Sequence, residues 1–173
     1  MNVLNVEFKA RCDQHEPIKE VLQKLNARYV GEDHQIDTYF NVEKGRLKLR
    51  EGTIERNLIY YERANQAGPK ASHVKLVSVP EAQSTDLKAL LTASLGIKVV
   101  VDKLRHIYFV DNIKIHLDTV QELGSFVEVE AIDQEGTLGQ EYLKNQCDDL
   151  FKRFALSTAS LASRSYSDML LDG

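Results

Sequence analysis

Ile113-Lys114-Ile115-His116-Leu117-Asp118, a turn at Glu122-Leu123-Gly124, and then Phe126-Val127-Glu128-Val129-Glu130-Ala131 form the stretch that decides the fold. Successive side chains of a strand point to opposite faces. Lys114, His116 and Asp118 therefore share one face, with Ile113, Ile115 and Leu117 on the other. After the turn, Glu128 and Glu130 share a face, with Val127, Val129 and Ala131 opposite. Two adjacent strands thus carry an apolar face and a face that is almost wholly ionisable.

The same alternation recurs along the chain. Glu7 and Lys9 share a face opposite Val6 and Phe8. Lys48 and Arg50 lie opposite Leu47 and Leu49. Tyr61 lies with Arg63, His73 and Lys75 alternate with Val74 and Leu76, and Lys103 lies with Arg105. Eight segments are rich in β-branched and aromatic residues: 3–10, 35–41, 46–51, 57–63, 72–79, 99–109, 114–120 and 125–131. Helical spacing marks 16–25, where Pro17 suits a first turn, and 84–95, with Ser84 or Thr85 as N-cap and Gly96 as a stop. It also marks 137–155 and a short 166–171. The expected class is α+β: a large antiparallel sheet or barrel with flanking helices.

A solvated strand face ordinarily mixes Thr, Ser, Gln and Lys. Here the polar positions are ionisable and their signs segregate by strand, basic at Lys48/Arg50 and Lys103/Arg105 and acidic at Glu128/Glu130. A closed barrel offers an inverted layout, with helices over an apolar exterior and charge lining a wet interior. So many enclosed charges are costly without a ligand. A polyanion with metal ions answers both signs: Arg and Lys grip phosphate oxygens, and carboxylates hold hard divalent cations.

Composition sets the bounds. The 173 residues are 43% hydrophobic and 28% charged, with a formal net charge of −4. One domain, 1–173, is expected, with no global basic field to attract nucleic acid. No run approaches the ~18 apolar residues of a membrane span, and the two cysteines, Cys12 and Cys147, form no framework. The expectation is a cytoplasmic monomer or homodimer that binds neither nucleic acid nor membrane.

The order of these motifs resembles the CYTH superfamily of triphosphate tunnel enzymes, in particular its class IV adenylate cyclase branch. Asn5-Val6-Glu7-Phe8-Lys9 is similar to the signature Glu-x-Glu-x-Lys. Gln35-Ile36-Asp37-Thr38-Tyr39-Phe40, Leu47-Lys48-Leu49-Arg50, Tyr60-Tyr61-Glu62-Arg63, Lys103-x-Arg105, the stretch 116–130 and Ser163-Arg164-Ser165-Tyr166 follow in the family's order. The resemblance implies an eight-stranded antiparallel tunnel that binds a triphosphate-containing small molecule with Mg²⁺ or Mn²⁺. It implies metal ligation by Glu7, Asp118, Glu128 and Glu130, and phosphate contacts and catalysis through Lys9, Arg50, Arg63, Lys103 and Arg105. Lys48, Lys75 and Arg164 are further phosphate candidates. Two departures stand out: Asn5 replaces the first Glu of the signature, and the strand 72–79 lacks acidic residues. The reactions that follow are cyclisation of ATP to cyclic AMP and pyrophosphate, or hydrolysis of an inorganic or organic triphosphate. A non-catalytic module that binds a phosphorylated ligand is the alternative raised by Asn5, and an interaction domain with a merely solvated charged face is the third.

Overall fold

All eight strand signals become strands of one closed barrel, in a computed structural model that describes residues 2–173. The chain order is β1 (Asn2–Arg11), α1 (Glu16–Lys24), β2 (Arg28–Phe40), β3 (Arg46–Gly52), β4 (Arg56–Arg63), β5 (Lys70–Ser78), α2 (Glu81–Leu95), β6 (Ile97–Val110), β7 (Ile113–Val120), β8 (Gly124–Asp133), α3 (Gln140–Arg153) and α4 (Tyr166–Asp172). Around the barrel the order is β1-β5-β4-β3-β2-β6-β7-β8, closing on β1. Every neighbouring pair is antiparallel. β2 runs further than its sequence signal, because Arg28–Asp33 pairs with Arg105–Phe109 of β6, and β6 gains a residue or two at each end, where Ile97 pairs with Phe40 and Val110 with Ile113. Closure leaves no strand edge open for pairing with another chain.

Most of the apolar core lies outside the barrel. Val6, Phe8, Ala10, Ile115, Leu117, Val127 and Val129 pack with Ile18 and Leu22 of α1 and Leu143, Cys147 and Leu150 of α3. A second cluster joins Phe40, Leu49 and Val79 to Leu87 and Leu91 of α2. These are the faces opposite the ionisable ones, so the alternation turns charge inward. α2 begins at Glu81, three residues before the expected N-cap. Pro80 precedes it, and the buried Ser84 hydroxyl donates to Glu51 (2.8 Å) rather than capping. α3 is shorter than its signal because Asp133 accepts hydrogen bonds from the N–H groups of Thr137, Leu138 and Gly139, holding that segment as a turn.

The two ends of the barrel differ. At one, α4 packs Met169 and Leu170 against Tyr39, Tyr61, Val101, Val120 and Phe126, with Tyr166 among them. The other end gathers the starts of β1, β2, β4 and β7 with the ends of their partners. Among the described residues no helix is long and apolar enough to cross a membrane.

Candidate active site

A cavity of about 310 Å³ runs inside the barrel, within the size range of small-molecule sites. Seven basic side chains line it, Lys9, Lys48, Arg50, Arg63, Lys103, Arg105 and Lys114, against four carboxylates, Glu7, Glu55, Glu128 and Glu130. Asp37 and Asp118 stand just behind as anchors.

Asp37 on β2 is fully buried and holds three cations at once. Arg50 donates to it through Nε and Nη2, each at 2.9 Å, Lys103 at 2.7 Å, and Lys48 lies at 3.1 Å. The register explains this: Asp37 pairs with Arg50 on β3 and sits across β6 from Val101, one step in phase from Lys103. Burial by itself raises the Asp37 carboxyl, but Arg50, Lys103 and Lys48 outweigh it and hold it well below the usual range. One carboxylate against three cations leaves surplus positive charge. Burial, with Arg50 and Arg105 close by, accordingly pushes the Lys103 ammonium well below its ordinary value.

Asp118 plays the same part on β7. Both its oxygens accept from Arg105 at 2.7 Å, and Tyr166 of α4 donates its hydroxyl at 2.7 Å. Asp118, expected as a metal ligand, here accepts from Arg105 and Tyr166 and does not line the cavity. Glu7 lines the cavity and pairs with Arg63.

Opposite the Asp37 group, Glu128 and Glu130 on β8 come together with His116 on β7, their ligand atoms within 4.8 Å of one another. Lys9 (3.8 Å) and Arg105 (3.5 Å) flank Glu128. They outweigh its burial and keep it ionised, well below its usual range. Burial and the Glu128 charge raise Glu130. Burial, then Arg105, lowers His116 well below its normal value, so the imidazole is neutral at pH 7. Both its ring nitrogens are buried without a hydrogen-bond partner, as is Asn5 Oδ1. Such atoms are expensive to strand. Two carboxylates beside a neutral imidazole suit a divalent cation, so the donor set fits a metal at His116, Glu128 and Glu130.

Two phosphate candidates lie elsewhere. Lys75 is exposed. β5 turns Ser72, Val74 and Leu76 inward, since Ser72 pairs with Arg63 and Val74 with Tyr61. Its apolar side thus faces the cavity, the reverse of the other strands. Arg164 is half-exposed and pairs with Asp172 on the surface. Tyr39 and Tyr61 line the cavity, their hydroxyls 3.4 Å apart, whereas Tyr60 points outward to Glu62.

Sequence reasoning missed three groups. Asp37 and Lys114 were readable from phase, sharing faces with Tyr39 and His116. Glu55 had no such signal, because it sits on the β3–β4 turn. Asp33 accepts from the N–H groups of Ile54 and Glu55 and from the Thr53 hydroxyl, tucking that turn toward the barrel end. Glu55 then reaches Lys114 (2.6 Å) and approaches Arg50 (3.9 Å). Its burial is outweighed by these cations, which hold it at about 2.

Known proteins share this fold. A CYTH domain family model matches residues 4–166. Adenylate cyclase CyaB of Aeromonas hydrophila is 29% identical over 167 residues, covering 93% of this chain and 85% of that protein. Among solved structures, the PH1012 protein of Pyrococcus horikoshii superposes with a TM-score of 0.75 at 25% identity, over 95% of this chain and 98% of that one. HpAC1 of Hippeastrum, for which a dominant triphosphatase activity is described, shares the fold at a TM-score of 0.61 and 14% identity, over 99% and 94% of the two chains. Family, barrel and metal-fitting acidic cluster agree: the chain belongs to the CYTH domain family, a family of metal-dependent enzymes.

Proposed function

We propose that this protein is a single-domain, metal-dependent enzyme that acts on a triphosphate-containing small molecule, and that its reaction is the class IV adenylate cyclase reaction, ATP to cyclic AMP and pyrophosphate. One observation carries the reading. The basic group around Asp37 and the acidic cluster around His116 face one cavity, so a single ligand can meet both.

Arg50, Lys48 and Lys103 present donors that Asp37 has already oriented, and their surplus charge suits phosphate oxygens. Lys9, Arg63 and Arg105 extend the grip toward the acidic side. Glu128, Glu130 and His116 would hold Mg²⁺ or Mn²⁺, which would supply positive charge to offset that of the phosphates. The chain's own contribution is to position the phosphates and to exclude water from them, with α4 filling one barrel end.

In the cyclase, the ribose 3′-hydroxyl oxygen bonds to the α-phosphorus, pyrophosphate leaves, and the hydroxyl proton is released. The second reading is hydrolysis. The triphosphatase activity described for HpAC1, on the same fold, favours it: there water attacks the terminal phosphorus, so the two reactions differ in which phosphorus meets the nucleophile and in whether the base and ribose are held. Incubation with Mg²⁺ or Mn²⁺ and ATP, tripolyphosphate or thiamine triphosphate, with product analysis, separates them. Cyclic AMP without orthophosphate supports the cyclase. Orthophosphate without cyclic AMP supports the hydrolase. Tight binding with no turnover across both metals would leave a binding module.

A further inference from the structure

Lys114 has two carboxylates within reach and binds one of them. It pairs across β7–β8 with Glu130, and both side chains face the cavity. Directly opposed residues of an antiparallel pair stand about 4.5–5.5 Å apart at Cβ, so a lysine can bridge to such a neighbour. Instead the Lys114 ammonium lies 2.6 Å from Glu55 and leans over the Phe109 ring, 5.8 Å from its centre. Among the described residues it makes no ion pair with Glu130.

The turn that carries Glu55 is built to hold it there. Asp33 accepts from the Thr53 hydroxyl and from the Ile54 and Glu55 N–H groups, and Gln35 donates to the Glu55 carboxylate at 3.2 Å. The Gly52 N–H donates to the Glu55 carbonyl at 3.0 Å. A Cβ at Gly52 would stand 2.5 Å from that oxygen and 2.7 Å from Asp33 Oδ1, so the turn closes this tightly because glycine permits the approach. Without Glu55, the opposed carboxylate left to Lys114 is Glu130. An ammonium there would take up the charge and the lone pairs that a divalent cation needs. We propose, resting on the metal reading of His116, Glu128 and Glu130, that Glu55 is a positioning residue: it draws Lys114 away from Glu130 and so keeps that carboxylate open to the cation. Glu55 acts through Lys114 and is not itself one of the converging ligand groups.

Titration calorimetry of the full chain with Mn²⁺ alone, on wild type, E55Q, K114M and E55Q/K114M, tests the proposal. E55Q is expected to weaken Mn²⁺ binding about tenfold or more, the scale on which metal sites respond to loss of an outer support. In the K114M background the same substitution should change the affinity by less than about twofold, because no ammonium is left to move. G52A displaces the turn while keeping both charges. It should weaken Mn²⁺ in the same direction, with K114M restoring the affinity, and it carries the test if circular dichroism shows E55Q unfolded. An effect of E55Q that is equal with and without Lys114 would overturn the proposal and leave the metal reading standing, since Glu55 would then act on the cation by its own charge. Unchanged Mn²⁺ affinity in E55Q would overturn it too. A wild type that binds no Mn²⁺ would remove both.

Discussion

Two clusters face each other across the cavity, and they differ in how far their bonds are complete. Around Asp37 the charges are paired: three cations converge on one buried carboxylate. Around His116 they are not: two imidazole nitrogens are buried without partners, and two carboxylates crowd one another. The contrast shows how a lumen can be both stable and receptive. The basic side is self-supporting and pre-aimed, so it would grip an anion with little reorganisation. The acidic side is left short of positive charge, which a cation would supply.

The largest effect should come from the acidic side. E130Q removes one metal-fitting charge and is expected to lower metal-dependent turnover by about a hundredfold or more, and to abolish the melting shift produced by Mn²⁺. Retention of both would remove Glu130 from the metal site. On the basic side, D37A leaves three cations without their common anchor. It should destabilise the fold by about 3–5 kcal/mol, the usual consequence of breaking a buried ion pair from one side, measured by denaturant unfolding. R50A leaves Asp37 with Lys48 and Lys103. It is therefore expected to weaken triphosphate binding by about tenfold or more, with only a small change in melting temperature. Equal destabilisation by D37A and R50A would show that the basic side is not anchored by Asp37.

How much of this was legible in the chain depends on periodicity. β1, β3, β7 and β8 alternate cleanly between apolar and ionisable residues, and each turns its ionisable face inward as expected. β5 broke the rule. His73 and Lys75 are exposed, while Ser72, Val74 and Leu76 line the cavity. Phase can be read from a single strand, but which phase faces inward is set by register with its neighbours, here Arg63 against Ser72. Glu55 was invisible for another reason. A turn has no period, and its position depends on Asp33, twenty-two residues earlier in the chain. The Arg105 partner of Asp118 was not readable, because a carboxylate on a charged face suits a metal or an arginine equally until distances are known.

Acid titration offers a smaller test. Burial raises the Glu55 carboxyl and Lys114 and Arg50 outweigh it, so its folded value is about 2 against an ordinary 4.5. A lowered carboxyl contributes stability that is complete above the ordinary value and is lost as pH falls toward the folded one. The stability difference between wild type and E55Q, at most about 3 kcal/mol, should be constant near neutrality and shrink steadily below pH ~4.5. A difference that widens on acidification would contradict the Glu55–Lys114 pairing. The smallest effect is expected at the two excluded cations. K75A and R164A should leave triphosphate binding unchanged and stability within about 0.5 kcal/mol.

Crystals of the full chain soaked with Mn²⁺ and a non-hydrolysable ATP analogue provide the most direct test, read by anomalous scattering. The expected map has a manganese peak within bonding distance of Glu128 and Glu130, with phosphorus density between it and Arg50 and Lys103. Manganese and phosphate bound only on the outer surface, with the lumen holding neither, would contradict a shared interior site.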